Sequence, residues 1–230
     1  MPDSQGPARS IGVLIVDDHA LVRKGLRELI ELEPGLEVCG EAGDVSEALD
    51  LVESARPGLM VVDLSLREGH GLELIKQVKA RHPEIRVLVL TMHDERLYAE
   101  RALATGASGF LNKQEPAERV LQAIRRVLAG GVYLSQTGAD QVLGRFVGKS
   151  ATGEGAPAPR LSDRELEVLE MLGQGITTAD IAKQLHLSPK TVEAHRENLK
   201  RKLGLRNATE LLRYAVAASL EQTRPEPTEQ

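Results

Sequence analysis

The sequence predicts an α/β domain, built on a five-stranded parallel sheet with helices on both faces, followed by a small all-α domain. Three observations carry this. In the first part of the chain, short apolar runs alternate with segments of helical spacing. From Gly148 to Ser162 the chain reads GKSATGEGAPAPRLS, rich in Gly, Ala, Pro and Ser and without apolar periodicity. Beyond Leu161 the pattern becomes a series of short helices with cap signals at their ends.

The first run is GVLIV (12–16), followed by helical spacing at Leu21, Leu26, Leu29 and Ile30. LEVCGEA (36–42) is followed by Ala48, Leu49 and Val52. LMVVD (59–63), RVLVLT (86–91) and SGFLN (108–112) complete the set, and Glu118 to Leu128 reads as the closing helix. Strands that alternate with helices are joined by crossovers, which make a parallel sheet buried on both faces. Five such units fit a flavodoxin-like, doubly wound domain. The resulting division is an α/β domain over 11–132, a linker over 133–160 and a helical domain over 161–222. SQTGADQVLGRFV (135–147) reads as one bridging helix, and the polar ends, 1–10 and 223–230, read as disordered.

Composition narrows the class. The chain has 230 residues, enough for two domains, but no Trp, two Phe and three Tyr, so Leu, Val, Ile and Ala build its cores. The single cysteine, Cys39, forms no internal disulfide and reads as a small core residue. No apolar run approaches the ~18 residues of a membrane span, and the polar N-terminus is no secretory signal, so the expected compartment is the cytoplasm. Net charge is −5, and all of it lies before the helical domain: residues 160–230 carry 11 basic and 11 acidic side chains. That balance excludes a generally basic nucleic-acid binder and leaves room for a local basic face.

In a doubly wound sheet, ligands bind beyond the carboxyl ends of the strands. Asp17 and Asp18 follow the first run, Asp63 ends the third, Thr91 ends the fourth and Lys113 follows the fifth. An isolated Asp after a strand is ordinarily a turn or cap residue. Three carboxylates, a hydroxyl and an ammonium converging on one edge suit a hard cation such as Mg²⁺ and a phosphoryl group on an aspartate. These residues, in VDD, VVDL, LTM and FLNK, resemble the receiver domain of two-component response regulators over roughly 11–130. The resemblance implies that Asp63 takes a phosphoryl group from a phosphohistidine on a sensor histidine kinase. It implies that Asp17, Asp18, Asp63 and the backbone carbonyl of Ser65 hold Mg²⁺, and that Thr91 and Lys113 contact the phosphoryl group. Phe110 matches the aromatic switch position and equally fits a core aromatic. Leu66 and Arg67 stand where receivers often have Met-Pro, which removes a proline constraint from the loop. Met92 is larger than the usual residue after Thr91 and narrows access to Asp63. His93, near the same rim, reads as a solvated loop residue or, otherwise, as a tuner of dephosphorylation.

In the second domain, SDRE (162–165) is a capping box, and a helix runs from there to Gly173. A second helix spans Thr178 to Leu185. Ser188 caps a third, with Pro189 at its first position and Gly204 at its end. NATE (207–210) opens a fourth. The second and third make a helix-turn-helix. On the third, Val192, His195, Leu199 and Leu203 face inward, and residues 190–206 hold six Lys or Arg against two Glu. The stretch from LSDRELEVL to KLGLRN resembles the LuxR-type DNA-binding domain, so the whole chain resembles a NarL/FixJ-type response regulator. The expected DNA-contacting residues are Lys190, Thr191, Glu193, Ala194, Arg196, Glu197, Lys200 and Arg201. Among them Glu193 suits cytosine N4 or serves to offset its basic neighbours, and Glu197 is spaced to pair with Arg201.

The resemblance implies a transcription regulator rather than an enzyme. Phosphorylation would shift the receiver, promote a homodimer, and bring two helices to paired half-sites on double-stranded DNA. An aspartate-nucleophile hydrolase would be favoured by a carboxylate two residues after Asp63, where Ser65 stands. The alternative is a DNA-binding regulator whose receiver serves as an interaction module independent of phosphate.

Overall fold

The computed structural model describes residues 10–136, 138–140 and 161–221. The chain divides into two compact units, residues 1–149 and 150–230. The ends 1–9 and 222–230, the linker 141–160 and most of the bridging helix expected at 135–147 lie outside the described residues.

In the first unit, strands β1 (Ile11–Val16), β2 (Leu36–Ala42), β3 (Leu59–Val62), β4 (Arg86–Thr91) and β5 (Gly109–Asn112) form one sheet. Helices α1 (Ala20–Glu31), α2 (Val45–Ala55), α3 (Gly71–Arg81), α4 (Glu95–Thr105) and α5 (Ala117–Leu128) connect and cover it. The order is β2-β1-β3-β4-β5 and every pairing is parallel. Winding reverses between β1 and β3, which opens a crevice at their carboxyl ends.

The apolar runs form strands because they are hidden on both faces. Val13 to Val16 and Leu59 to Val62 are all at most 1 % exposed. One face, with Val13, Ile15, Val61 and Leu88, packs on Leu26 and Ile30 of α1 and Ile124 and Val127 of α5. Leu21 departs from the inward line that its spacing suggested and points to solvent. Cys39 also departs from its expected core position. It is a half-buried free thiol on the edge strand β2, the extra residue where the register slips opposite Val13 and Leu14.

The backbone does not leave the sheet at residue 132. Tyr133 makes an isolated parallel bridge with Gly109, with Phe110 N–H donating to the Tyr133 carbonyl at 2.9 Å. The next turn is tied to α4, where the Glu95 carboxylate accepts from both the Ser135 amide, at 2.9 Å, and the Ser135 hydroxyl.

The second unit holds α6 (Asp163–Gly173), α7 (Thr178–Gln184), α8 (Pro189–Leu203) and α9 (Ala208–Glu221). Leu166, Leu169, Ile181, Val192, Leu199 and Leu211 make its core. The caps are those the sequence spelled. Ser162 and Glu165 form a reciprocal capping box, and Ser188 accepts from the Thr191 amide at 3.1 Å. Gly204 ends α8 at φ +68°, a left-handed conformation that favours glycine. At α9 the box is offset. Asn207 accepts from the Glu210 amide, and Glu210 reaches back one residue further, to the Arg206 amide.

Candidate functional site

Three residues at the acidic edge are set by a backbone hydrogen bond just beyond their strands. Asp17 N–H donates to the Ala42 carbonyl at 3.0 Å, Asp63 N–H to Val16 at 2.8 Å and Lys113 N–H to Thr91 at 2.9 Å. The ladder thus carries three functional side chains one step past the sheet into the crevice between β1 and β3.

Asp17 and Asp63 are 2 % and 4 % exposed. Lys113 Nζ lies 2.6 Å from a carboxylate oxygen of each. Ligand atoms of Asp17, Asp18, His19 and Asp63 all lie within 4.8 Å of one another. His19 went unassigned in the sequence. Its Nδ1 is 2.6 Å from Asp18, and its amide donates to Asp17 at 2.9 Å, which fixes the acidic pair at the start of α1. Adjacency in VDDH was the available signal.

Burial pushes the Asp17 carboxyl above its usual range, aided by the Asp63 charge, although Lys113 pulls the other way. Burial also disfavours the Lys113 ammonium, but Asp63 and Asp17 outweigh it and hold its pKa above the usual value. Two buried carboxylates therefore share one ammonium, with Asp18 close beside them. That surplus of hard oxygen donors fits Mg²⁺.

The loop that lost its proline is restrained by other means. Arg67 N–H donates to the Gly43 carbonyl and Val45 N–H to the Glu68 carbonyl, each at 3.3 Å. The Arg67 guanidinium meets Asp44 at 3.2 Å. Within the loop, Ser65 N–H donates to Asp63 Oδ1 at 3.3 Å.

His93 corrects the sequence reading. It is not solvated but 4 % exposed, stacked on Tyr98 with ring centroids 4.7 Å apart, and its Nε2 is 2.8 Å from Ser65 Oγ. Tyr98 offers a flat apolar wall, and Ser65 satisfies one ring nitrogen, so burial is tolerated. Burial lowers its pKa to about 4, which keeps the ring neutral at physiological pH. Its backbone N–H lies 3.4 Å from Thr91 Oγ1. Thr91 and Phe110 are both fully buried.

On α8 the expected surface residues separate into two groups. Lys190, Glu193, Ala194, Glu197 and Arg201 are exposed, whereas Thr191, Arg196 and Lys200 are half-buried. Val192 and Leu199 are fully buried, with His195 and Leu203 partly so, as their spacing predicted. The Arg196 guanidinium donates to Thr178 Oγ1 at 2.6 Å and to Glu193 at 2.9 Å, which ties α8 to α7. Glu197 does not pair with Arg201. It meets Lys200 at 2.8 Å, and Arg201 donates to Asn198. Both contacts use the i,i+3 spacing, which faces side chains as well as i,i+4 does. Lys202 turns inward to Glu165 at 2.6 Å.

A phosphoryl-type acidic crevice in one unit and a capped helix-turn-helix in the other define a two-domain transcription regulator. Comparisons with known proteins specify the class. Residues 13–125 match the response regulator receiver domain, and residues 159–215 match the bacterial regulatory proteins of the luxR family. The oxygen regulatory protein NreC of Staphylococcus epidermidis is 36 % identical over 213 residues, covering 90 % of this chain and 98 % of NreC. NreC of Staphylococcus carnosus is 34 % identical over 212 residues, with the same coverage. Among solved structures, RcsB of Salmonella typhimurium superposes with a TM-score of 0.71 at 26 % identity, covering 91 % of this chain and 98 % of that one. RcsB of Salmonella enterica serovar Typhimurium, bound to the promoter rprA with the phosphomimetic BeF₃⁻, gives 0.70 at 28 % identity, covering 90 % and 99 %. The chain belongs to the two-component response regulators that join a receiver to a LuxR-type DNA-binding domain.

Proposed function

We propose that phosphorylation of Asp63 controls dimerisation and promoter binding by this regulator. The observation that carries it is the Asp17–Lys113–Asp63 bridge at the crevice between β1 and β3. An Asp63 carboxylate oxygen attacks the phosphorus of a kinase phosphohistidine. The O–P bond forms, the N–P bond breaks, and the imidazole keeps the electron pair and takes up a proton. Lys113, already 2.6 Å from Asp63, is in place to meet the new charge. Asp17, Asp18, Asp63 and the Ser65 carbonyl would hold Mg²⁺, which when bound offsets charge on the transferring oxygens. Thr91 then exchanges its contact with the His93 amide for the phosphoryl group, and Phe110, on the neighbouring strand β5 opposite Val89, completes the switch.

The phosphorylated receiver favours a homodimer. Two copies of α8 enter successive major grooves at paired half-sites, and their energies add. Lys190, Lys200 and Arg201 hold phosphates, while Thr191, Glu193, Ala194, Arg196 and Glu197 face base edges or brace those that do. RcsB, bound to a promoter in the presence of BeF₃⁻, supports this reading. A kinase donor and a DNA target put its work in the cytoplasm.

The test is affinity for genomic fragments selected by the protein, with and without Mg²⁺ and beryllofluoride, with Asp63→Asn as control. The expected result is tighter, more cooperative binding for wild type alone. Equal binding in every condition would overturn phosphate control and make the receiver an interaction module.

A further inference from the structure

The loop between β3 and α3 carries a backbone oxygen of the proposed cation site, and its two ends are fixed. Gly71 N–H donates to the Leu64 carbonyl at 2.9 Å, and a Cβ at Gly71 would collide with the Asp63 carbonyl. The chain thus returns directly onto the residue it left. Ser65 and His70 face each other across the closed loop in an isolated antiparallel bridge. The middle is held less firmly. Residues 64–70 include no proline, and Gly69 takes φ +86°. The bonds from Ser65 N–H to Asp63, from Arg67 to Gly43 and Asp44, and from Val45 N–H to Glu68 are 3.2–3.3 Å long.

His93 supplies a shorter bond from outside the loop. Its Nε2 is 2.8 Å from Ser65 Oγ, across 28 residues of sequence. The ring is walled in: it is 4 % exposed and stacked on Tyr98 of α4, itself 2 % exposed. Ser65 Oγ is therefore held at a point set by the connection between β4 and α4. Its χ1 torsion has only three staggered wells, so a fixed Oγ leaves few directions for the Ser65 backbone.

We propose that His93 is a positioning residue for the divalent cation: by holding Ser65 Oγ it directs the Ser65 backbone carbonyl into the acidic crevice. This rests on the reading that Asp17, Asp18, Asp63 and that carbonyl hold Mg²⁺. Carboxylates attract any dication by charge. Mg²⁺ also demands near-ideal octahedral geometry, whereas Ca²⁺ accepts a larger, irregular shell of oxygens. A carbonyl held in one direction therefore favours the smaller ion. Partners that orient a metal ligand contribute ~10–100-fold in affinity. His93 thus acts on which cation the crevice holds, through a residue from a different loop.

The experiment is isothermal titration calorimetry of the full chain with MgCl₂ and, separately, with CaCl₂. His93→Leu fills the space against Tyr98 but cannot hydrogen-bond Ser65. It is expected to weaken Mg²⁺ binding about tenfold and Ca²⁺ binding about twofold or less. Ser65→Ala removes the other partner and should act alike, and carries the same test if His93→Leu is unstable. The double variant should lose no more than either alone, because a single bond is removed. His93→Gln, which can place its amide where Nε2 stood, should recover most of the Mg²⁺ affinity. Equal losses for the two cations, or losses that add in the double variant, would make His93 a packing residue and overturn the proposal. Unchanged Mg²⁺ affinity in both single variants would overturn it too, while leaving the cation site intact. Mg²⁺ binding that survives Asp17→Asn at wild-type affinity would overturn the site reading and the proposal with it.

Discussion

Each unit buries a carboxylate against a lysine at 2.6 Å, Asp17 on Lys113 in the receiver and Glu165 on Lys202 in the DNA-binding unit. Glu165 is complete. It accepts from Lys202 and from the Ser162 amide at 2.6 Å, while the Ser162 hydroxyl caps its own amide. Burial opposes its ionisation, yet these donors outweigh burial and hold its pKa below the usual value. Asp17 is incomplete. It shares one ammonium with Asp63, and burial leaves its pKa raised. A complete pair fixes α8 against α6 whatever the solution holds. An incomplete one keeps a place for a dication and a phosphoryl group, at the expense of stability when neither is bound.

The largest effect tests whether the incomplete site is the chemical one. Asp63→Asn should reduce phosphoryl incorporation from a phosphorylated kinase to background, read by radiolabel on a denaturing gel. The amide keeps the shape and one acceptor but lacks the nucleophilic carboxylate. Residual labelling at wild-type rates would move the acceptor elsewhere and remove the contrast.

Next come the two lysines. Lys113→Met leaves two buried carboxylates repelling each other, and should cost the receiver about 3 kcal/mol in EDTA. Lys202→Met leaves Glu165 with its Ser162 donors and should cost the second unit about 1–2 kcal/mol. Millimolar Mg²⁺ should restore a large part of the first loss and none of the second. Urea unfolding of the full chain, followed unit by unit, reads both. An equal Mg²⁺ response in the two variants would break the comparison.

The strand ends and the caps were legible in the sequence because each depends on neighbours within a few residues. VDD, VVDL, LTM and FLNK put their side chains at one edge as soon as the sheet is parallel, and SDRE names its own cap. What was not legible depends on separate loops. His93 is buried because Ser65, 28 residues earlier, and Tyr98 close around it. Glu165 meets Lys202 across 37 residues, and nothing in the capping box announces that partner. The missing proline after Asp63 was visible, but its replacement by Arg67, Gly43 and Asp44 required the packing of two loops.

Acid should separate the two carboxylates by sign. Glu165 ionises below its reference value of 4.5, so its contribution is complete above that pH and is lost as pH falls through the lowered value. Asp17 ionises above its reference value of 3.8, so its charge costs stability at neutral pH. That cost is relieved as pH falls through the raised value toward 3.8. Without divalent cation, acidification should therefore stabilise the receiver through Asp17 before it weakens the second unit through Glu165. Urea midpoints against pH, with Asp17→Asn and Glu165→Gln each flattening its own unit's slope, check this. Parallel curves for the two units would show that the sites are not built differently.

The smallest effect sharpens the same distinction within α8. Glu193 is exposed but engaged, holding Arg196 and Thr178. If it reads a base as well, Glu193→Ala should cost about 1–2 kcal/mol at one position of the half-site and change the preferred base there. Lys190→Ala should instead weaken all sequences alike and reduce the salt slope by about one. Binding to a library of half-sites at two salt concentrations distinguishes them. A uniform loss from Glu193→Ala would assign its carboxylate to bracing Arg196 alone. The second unit would then read DNA from a scaffold of completed polar pairs, with every variable charge confined to the receiver.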